Sequence, residues 1–286
     1  MFNRIHFFNG FHNGDVHVSR EFVKWIIKNV PAEEYVYSHN YSHKLIMDVD
    51  GLIFDNEIPL PKEDGWRIHN GTLYINTWFR TIVSIHNKYE CSLQCLFHMF
   101  SESLAWLGIE LPQDIEMFVP QIDYDRYEIG TAKKFMAKVE PFKKVFICNG
   151  NVLSGQSDNF DFNPIMYNLA NKFKDTLFFL ANGNNEVRLQ NVAYTKDIIR
   201  VNENDLNENA YIAKFCPLIV GRASGPHAFC WNTDNTHKTV VDFAKGEMVG
   251  TFGLDKLYPQ SFIHCSDFTN VEGVIGAEIR RIWKEE

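Results

Sequence analysis

The side chains best suited to chemistry lie in one stretch, residues 213–232, with the sequence AKFCPLIVGRASGPHAFCWN. Its apolar run at 217–220 predicts a short buried strand, because it contains a β-branched pair and stops at a glycine. Residues 221–226 are mostly small and predict a turn, after which His227 begins a predicted helix. Free backbone N–H groups converge at the start of a helix, and the macrodipole favours negative charge there. With the guanidinium of Arg222 alongside, the stretch predicts an anion site, although an ordinary strand-to-helix turn explains the same residues.

A carboxylate follows the first predicted strand, residues 5–8, on a loop with the sequence NGFHNGD that ends at Asp15. Apolar residues then recur at helical spacing as far as Asn29, so that Asp15 stands at the predicted N-cap. A carboxylate on a glycine-bearing loop can reach a substrate hydroxyl, and burial would raise its basicity. Asp15 is therefore a candidate general base, and helix capping is the alternative role.

The elements that must position these groups alternate between strands and helices in both halves of the chain. This alternation predicts two Rossmann-like α/β domains with parallel sheets, residues 1–140 and 141–286, and a C-terminal helix that closes the chain. In such sheets ligands bind outside the carboxyl ends of the strands. We therefore expect the glycine-bearing loops after residues 8, 148 and 220 to face one central cleft between the domains.

Composition narrows the possible partners. The net charge is −8, the pI is near 5.8, and no block of Lys or Arg stands out, so nucleic-acid binding and docking on an anionic membrane are disfavoured. No apolar stretch approaches the roughly 20 residues that cross a bilayer, and the N-terminus lacks the apolar segment of a signal peptide. We expect a cytoplasmic protein with at most peripheral membrane contact. The six cysteines form no CxxC pair and no zinc spacing with His, and we expect reduced thiols.

Four segments, taken in order, resemble the heptosyltransferase-like GT-B glycosyltransferases. The loop NGDV at 13–16 is similar to the family's Gly-Asp loop, and VFICNGN at 145–151 is similar to its first donor-domain strand and loop. LFFLANGNNE at 177–186 is similar to a strand that ends in a glycine and an acidic residue. IVGRASGPH at 219–227 is similar to the strand and Ser/Thr-Gly turn that hold the donor diphosphate. Together the segments cover most of the chain in the family's order.

The resemblance implies a metal-independent transferase that moves a sugar from a nucleotide-sugar donor to a hydroxyl of a glycan or glycolipid acceptor. The N-terminal domain would bind the acceptor and the C-terminal domain the donor, with no cofactor beyond the nucleotide-sugar co-substrate. Asp15 would be the general base, and a single base implies inversion at the anomeric carbon. The donor contacts implied are Asn149, Gly150, Asn151, Ser154, Gln156, Gly183, Glu186, Arg222, Ser224, Gly225, Pro226 and His227, and the acceptor contacts are His12, Gly14, His17, Arg20, Trp78 and Arg80.

Within the donor set, the turn at 224–227 would hold the diphosphate, Arg222 would neutralise the departing nucleotide, and Glu186 would accept ribose hydroxyls. The alternative for the polar loop residues is that they face solvent and stabilise turns. Ala223 replaces the family's Asp before Ser/Thr-Gly, and His227 follows the glycine by two residues instead of three. The family's lysine in the first donor loop has no clear counterpart at 149–162. These departures leave the donor sugar open.

Two acidic motifs are consistent with other functions. Asp48 and Asp50, two apart and followed by a glycine, resemble the first motif of haloacid-dehalogenase-type phosphatases, in which the first Asp attacks phosphate beside Mg²⁺. That family has Thr where Leu52 stands. The same pair, or Asp123 and Asp125, would suit the metal-binding pair of a GT-A transferase, and a solvated acidic turn explains both pairs most simply. A non-catalytic sugar- or nucleotide-binding protein is a further alternative.

Overall fold

The computed structural model describes residues 1–40, 43–61, 64–78, 92–153, 155–181, 186–199, 205–245 and 257–284. The chain divides into two compact units, and the division falls between Asp123 and Tyr124. Each unit contains a mainly parallel sheet with helices, which confirms the predicted α/β fold class. In the ranges given above, no helix is both long enough and apolar enough to span a membrane.

The division precedes the boundary at 140/141 that the sequence predicts. The helix Gly130–Lys138 lies before that boundary but packs within the second unit. Its Thr131 hydroxyl donates to the carbonyl oxygen of Ile199 at 2.9 Å. Pro141 therefore follows the end of a helix and does not separate the two units.

The first unit is built on a five-stranded sheet. Its strands are β1 (Phe2–Asn9), β2 (Ala32–His39), β3 (Leu52–Asp55), β4 (Arg67–His69) and β5 (Thr72–Asn76), and its helices are α1 (Asn13–Val18), α2 (Arg20–Asn29) and α3 (Ser92–Trp106), with 3-10 turns at His43–Ile46 and Ile115–Phe118. The strand order is β3-β2-β1-β5-β4, and the neighbours are parallel except in the β4–β5 hairpin. Strand β1 is therefore central, and its carboxyl end leads into the glycine-bearing loop that precedes Asp15.

Two local sequence signals account for structure in this unit. Ile5, Phe7 and Phe8 of β1 are fully buried, as expected for a central parallel strand covered on both faces. The hairpin turns at Asn70 and Gly71, whose φ angles of 49° and 76° are the positive values that a type I′ turn requires. Apolar runs and Asn-Gly turns are local signals, so the sequence alone predicts them.

The predicted N-cap at Asp15 is wrong. Helix α1 begins at Asn13, His12 is its N-cap, and Asp15 is the third helical residue, with its N–H donated to the His12 carbonyl at 3.1 Å. The single helix predicted up to Asn29 is also interrupted at Ser19, whose hydroxyl donates to the carbonyl of Val16 at 2.9 Å. This bond competes with the regular helical pattern and separates α1 from α2.

The second unit is built on a six-stranded sheet. Its strands are β6 (Lys143–Cys148), β7 (Thr176–Leu180), β8 (Val192–Tyr194), β9 (Leu218–Arg222), β10 (Thr239–Phe243) and β11 (Phe262–Cys265), and its helices are α4 (Gly130–Lys138), α5 (Phe162–Lys172), α6 (Thr195–Ile199), α7 (Leu206–Ala213), α8 (Gly225–Phe229) and α9 (Val271–Trp283), with 3-10 turns at Tyr124–Arg126 and Thr233–Asn235. The order is β11-β10-β9-β6-β7-β8, and all neighbours are parallel. Strand β9 therefore lies between β6 and β10.

Alternation along these strands decides which side chains face the helices. Val220 of β9, Val241 and Phe243 of β10 share one core with α5 and α9, in which Met166 and Ile275 are fully buried. Residues between them, such as Gly221 and Asp242, face the other side of the sheet. Strand β8 at Val192–Tyr194 is followed directly by the short helix α6.

Candidate functional site

The turn after β9 occupies the carboxyl edge of the second sheet, between two other loops. The loop at 149–161 follows β6, and the segment at 244–245 follows β10, on either side of the turn at 223–225. Ligands of open α/β sheets bind outside the carboxyl ends of the strands. These three segments therefore form the candidate site of the second unit.

Ser224 has a hydroxyl without a partner in the part of the chain that the structure describes. It is the N-cap of α8, yet its side chain makes no capping hydrogen bond. Its Oγ is buried and has no hydrogen-bond partner among the described residues. A Ser at an N-cap ordinarily bonds a backbone N–H of the first turn, and buried polar atoms are ordinarily satisfied. The hydroxyl is therefore available to a ligand.

His227 is held from one side only. Its Nδ1 lies 3.2 Å from Oδ1 of Asp242, whereas its buried Nε2 has no partner within the described ranges. Gly221 makes room for the ring, since a Cβ there would lie 2.8 Å from Cγ of His227. Burial alone would raise the pKa of Asp242, but the interactions with His227 and His264 bring that pKa below its ordinary value. Asp242 is thus an ionised partner that fixes the orientation of the His227 ring.

Helix α8 contributes less than the sequence suggests. It spans only Gly225–Phe229, so its macrodipole is small compared with that of a helix of average length. Gly225 and His227 lie in its first turn, where backbone N–H groups have no helical carbonyl four residues earlier, and Pro226 has no N–H. The anion-binding capacity of this turn therefore rests on a few individual donors.

Arg222 is buried and its guanidinium is bonded to the protein, which does not suit the predicted role of a cation for the diphosphate. Its side chain is 1% exposed, and its guanidinium stacks on the rings of Phe160 and Phe162 at 4.4 and 4.6 Å. Nη1 donates to the carbonyls of Asn149 and Gly150 at 2.8 and 2.7 Å, Nη2 donates to the carbonyl of Phe160, and Nε has no partner among the described residues. Burial lowers the pKa of Arg222 to about 10. The residue holds the loop after β6 in place.

That loop is also fixed internally. The side chain of Asn159 accepts from the N–H of Val152 at 2.7 Å and donates to its carbonyl at 3.1 Å. The carbonyl of Gln156 accepts from the N–H of Lys245 at 2.9 Å, so the loop reaches β10. Of the predicted donor contacts, Gly150 and Gln156 are buried, whereas Asn149 is partly exposed and Asn151 and Glu186 are exposed. Glu186 accepts from the side chain of Asn163, and Ser154 and Gly183 lie outside the described residues.

In the first unit, Asp15 lies at the carboxyl end of the sheet. Its side chain is 2% exposed, and Gly14 and His17 beside it are buried, whereas His12 is exposed. Burial above all raises the pKa of Tyr37 to about 12, and the charge of Asp15 adds to this effect. Asp15 is therefore near Tyr37 at the end of β2. Helix α1 therefore places a carboxylate at the carboxyl edge of the first sheet, which is the position that a general base at this edge requires.

The first sheet also contains buried polar residues that the sequence did not single out. Thr77 Oγ1 lies 2.7 Å from the hydroxyl of Tyr37 and accepts from the side chain of Asn9 at 3.2 Å. His6 Nε2 lies 2.7 Å from Oγ of Ser38. Polar side chains at the ends of apolar strands were the available signal, because such residues are buried only with partners.

Arg20 is a structural residue, which corrects its prediction as an acceptor contact. Its side chain and that of Asp48 are completely buried and form an ion pair. Arg20 also donates to the carbonyl of Leu45 at 2.7 Å, and Oδ2 of Asp48 accepts from the N–H of Asp123 at 3.0 Å. Asp48 lies in the turn before β3 with both oxygens engaged. This arrangement does not suit the phosphatase nucleophile or the metal-binding pair proposed for Asp48 and Asp50.

Trp78 stacks on the glycine-bearing loop. Its ring lies nearly parallel to that of Phe11, with centroids 3.7 Å apart and planes 21° apart. The backbone N–H of Trp78 donates to the Asn76 side chain at 2.9 Å. The ring is partly exposed. Trp78 is therefore placed where it could also contact a sugar, and Arg80 lies outside the described residues.

Comparison with known proteins relates the fold to glycosyltransferases. A glycosyl transferase of family 9 from Veillonella parvula has a TM-score of 0.56 and 13% identity, over 96% of this chain and 91% of that one. The ADP-heptose LPS heptosyltransferase II of E. coli has a TM-score of 0.56 and 10% identity, over 99% of this chain and 100% of that one. The E. coli heptosyltransferase WaaC, solved with ADP-2-deoxy-2-fluoro heptose, has a TM-score of 0.55 and 11% identity, over 99% of both chains. No family model and no curated protein matches the sequence. The resemblance predicted from the four segments is thus confirmed at the level of the fold.

Proposed function

We propose that this protein is a glycosyltransferase that moves a sugar from a nucleotide-sugar donor to a hydroxyl of a glycan or glycolipid acceptor. The observation that carries the proposal is the pair of buried, unpartnered atoms at the turn after β9, Ser224 Oγ and His227 Nε2. A diphosphate accepts hydrogen bonds on every oxygen, so it satisfies the Ser224 hydroxyl, and it satisfies Nε2 when the His227 ring carries both protons. The fold shared with heptosyltransferases supports this assignment.

The donor side of the proposal is a pyrophosphate held by individual donors. The hydroxyl of Ser224 and the ring of His227 contribute side-chain bonds, and the backbone N–H groups of Gly225 and His227 add two more. An ionised Asp242 accepts from Nδ1–H of His227, so Nε2, which faces away from Asp242, donates to the diphosphate only when both ring nitrogens carry a proton. The nucleoside would lie along the loop at 149–161, with Asn149, Gly150, Asn151 and Gln156 as contacts and Glu186 for the ribose.

The acceptor side of the proposal uses Asp15 as the general base. Asp15 would take the proton of the acceptor hydroxyl while the oxygen attacks the anomeric carbon from the face opposite the diphosphate, which inverts its configuration. No metal is required if protein donors neutralise the leaving group. His12, Gly14, His17 and Trp78 would contact the acceptor, and His12 and Trp78 are the members of this set with exposed surface.

The experiment is a turnover assay with a panel of nucleotide sugars and acceptors, in which free nucleotide is measured with and without EDTA. We expect one donor to be consumed, activity to survive EDTA, and Asp15→Asn to lower kcat by about 10²- to 10⁴-fold while donor binding persists. Asp50→Asn is the control, because Asp50 is an exposed carboxylate elsewhere in the first unit.

Three outcomes would contradict parts of this proposal. Turnover retained in Asp15→Asn would exclude Asp15 as the base. Activity abolished by EDTA and restored by Mg²⁺ would exclude a metal-independent reaction. Tight donor binding without turnover, for any acceptor tested, would favour a non-catalytic nucleotide-sugar-binding protein.

A further inference from the structure

We propose that Lys245 is the cation that binds the donor pyrophosphate and stabilises it as a leaving group. This inference rests on the proposed function. It replaces Arg222, which the sequence suggested for this role, with a residue that follows the neighbouring strand.

The register of β9 and β10 places Lys245 beside the turn. Arg222 and Phe243 are paired residues of the two strands, and the N–H of Ala223 donates to the carbonyl of Phe243 at 3.2 Å. Ser224 is the second residue after Arg222, and Lys245 is the second residue after Phe243. Ser224 and Lys245 therefore each lie two residues beyond the end of their strand, and the two strands are neighbours at the same edge of the sheet.

The backbone of Lys245 is anchored to the loop after β6. Its N–H donates to the carbonyl of Gln156 at 2.9 Å, and its Nζ lies 3.0 Å from Oδ1 of Asp158 in the same loop. Because β9 separates β6 from β10, this loop must pass the carboxyl end of β9 to make these contacts. Lys245 is therefore held next to the proposed pyrophosphate, with its ammonium group on the loop that lines the other side.

The ion pair with Asp158 leaves the ammonium group available. The side chains of Lys245 and Asp158 are 50% and 58% exposed, and exposed ion pairs contribute little to stability. A pyrophosphate carries more negative charge than one carboxylate and offers more acceptor oxygens. The ammonium group can therefore exchange Asp158 for the ligand at small cost.

Other described cations of the second unit are less well placed. Arg222 is committed to three carbonyls and two aromatic rings. Lys196 follows β8, which is separated from β9 by β6 and β7. Arg188 lies in the segment that returns to the start of β8, and Lys238 precedes β10 and donates to the carbonyls of 213 and 214. Of the cations compared, Lys245 is thus the one that directly follows a strand adjacent to β9.

In the transfer step, Lys245 would act on the bond that breaks. The bond between the anomeric carbon and the phosphate oxygen breaks, and its electron pair goes to that oxygen as the diphosphate departs. The acceptor oxygen forms the new bond to the anomeric carbon, and its proton goes to Asp15. A positive charge beside the departing diphosphate favours this step, because negative charge develops there in the transition state.

The test compares binding of nucleoside diphosphates (UDP, ADP, GDP) and of the matching nucleosides by calorimetry. For the nucleotide that the wild type binds, we expect Lys245→Gln to weaken the diphosphate roughly tenfold to a hundredfold and to leave the nucleoside unchanged. Lys245→Arg should keep most of the affinity, since it keeps the charge. Asp158→Asn should keep or increase it, because the competing carboxylate is removed.

Lys196→Gln is the matched control, and its diphosphate affinity should equal that of the wild type. Equal melting temperatures of Lys245→Gln and wild type would show that folding is intact. Unchanged diphosphate affinity in Lys245→Gln would overturn the assignment while the proposed function stands. If the folded wild type binds none of the three diphosphates, the proposed function and this inference are both overturned.

Discussion

The ring of His227 is fixed by Asp242, with Nδ1 3.2 Å from Oδ1, in space that Gly221 leaves open. Asp242 and Gly221 are paired residues on β10 and β9, so the contact is set by the register of the sheet. The other nitrogen of the ring is thereby directed away from Asp242. A glycine, a carboxylate and a histidine on three elements thus fix the position of one ring nitrogen of the candidate site.

The close packing at Gly221 predicts a strong effect of an added methyl group. A Cβ at this position would lie 2.7 Å from Cβ of Cys148 and 2.8 Å from Cγ of His227, so one of them must move. We expect Gly221→Ala to lower the free energy of unfolding by about 1–3 kcal/mol, as overpacking does in other cores. Urea denaturation measures this value. Gly130→Ala is the control, since a Cβ there meets nothing within 4 Å, and an equal loss in both variants would contradict the packing argument.

The buried ion pair of the first unit predicts that Asp48 is needed for stability. Asp48→Asn leaves the Arg20 guanidinium buried without its counter-charge, which typically costs about 3–5 kcal/mol in the free energy of unfolding. Replacing both residues, as in Arg20→Met with Asp48→Leu, should recover much of the loss. Exposed Asp50→Asn should change it by less than about 0.5 kcal/mol. A stable Asp48→Asn protein with full structure would contradict the structural role.

The contacts of Arg222 predict that lysine cannot replace it. An ammonium group cannot donate in the fixed fork that reaches the carbonyls of Asn149, Gly150 and Phe160 together. We expect Arg222→Lys to lower the free energy of unfolding by roughly 1.5–3 kcal/mol and to increase hydrogen exchange in the loop at 149–161. Exposed Arg188→Lys is the comparison. Unchanged exchange in the loop would show that Arg222 does not hold it.

His6 predicts loss of stability in mild acid. Burial, and then the nearby charge of Arg4, lower its pKa from 6.5 to about 4 in the folded protein. Between these values the unfolded chain binds a proton that the folded protein does not, so stability is complete above pH 6.5 and falls as the pH drops towards 4. His6→Gln should reduce this slope in denaturation curves measured from pH 7 to 4. The exposed His69→Gln should keep the wild-type slope, and an unchanged slope in His6→Gln would contradict the assignment.

The sequence predicts the fold well where the signals are local. The run at 217–220 forms the predicted strand, and the Asn70-Gly71 sequence specifies its own turn. The orientation of the Arg222 side chain cannot be predicted from its sequence neighbours, because the carbonyl groups that it bonds lie 62 to 73 residues away. For the same reason, the sequence alone did not identify Asp242 and Lys245 as residues of the candidate site. A lone Asp inside an apolar strand and a lone Lys just after it were the available signals.

The most direct test of the central claim is a calorimetric titration of UDP, ADP and GDP into the wild type and into Ser224→Ala. The account predicts that one diphosphate saturates the wild type and binds Ser224→Ala on the order of tenfold more weakly. The exposed Ser266→Ala should bind as the wild type does. Equal diphosphate affinity in Ser224→Ala and the wild type would contradict the claim that the turn after β9 holds the donor.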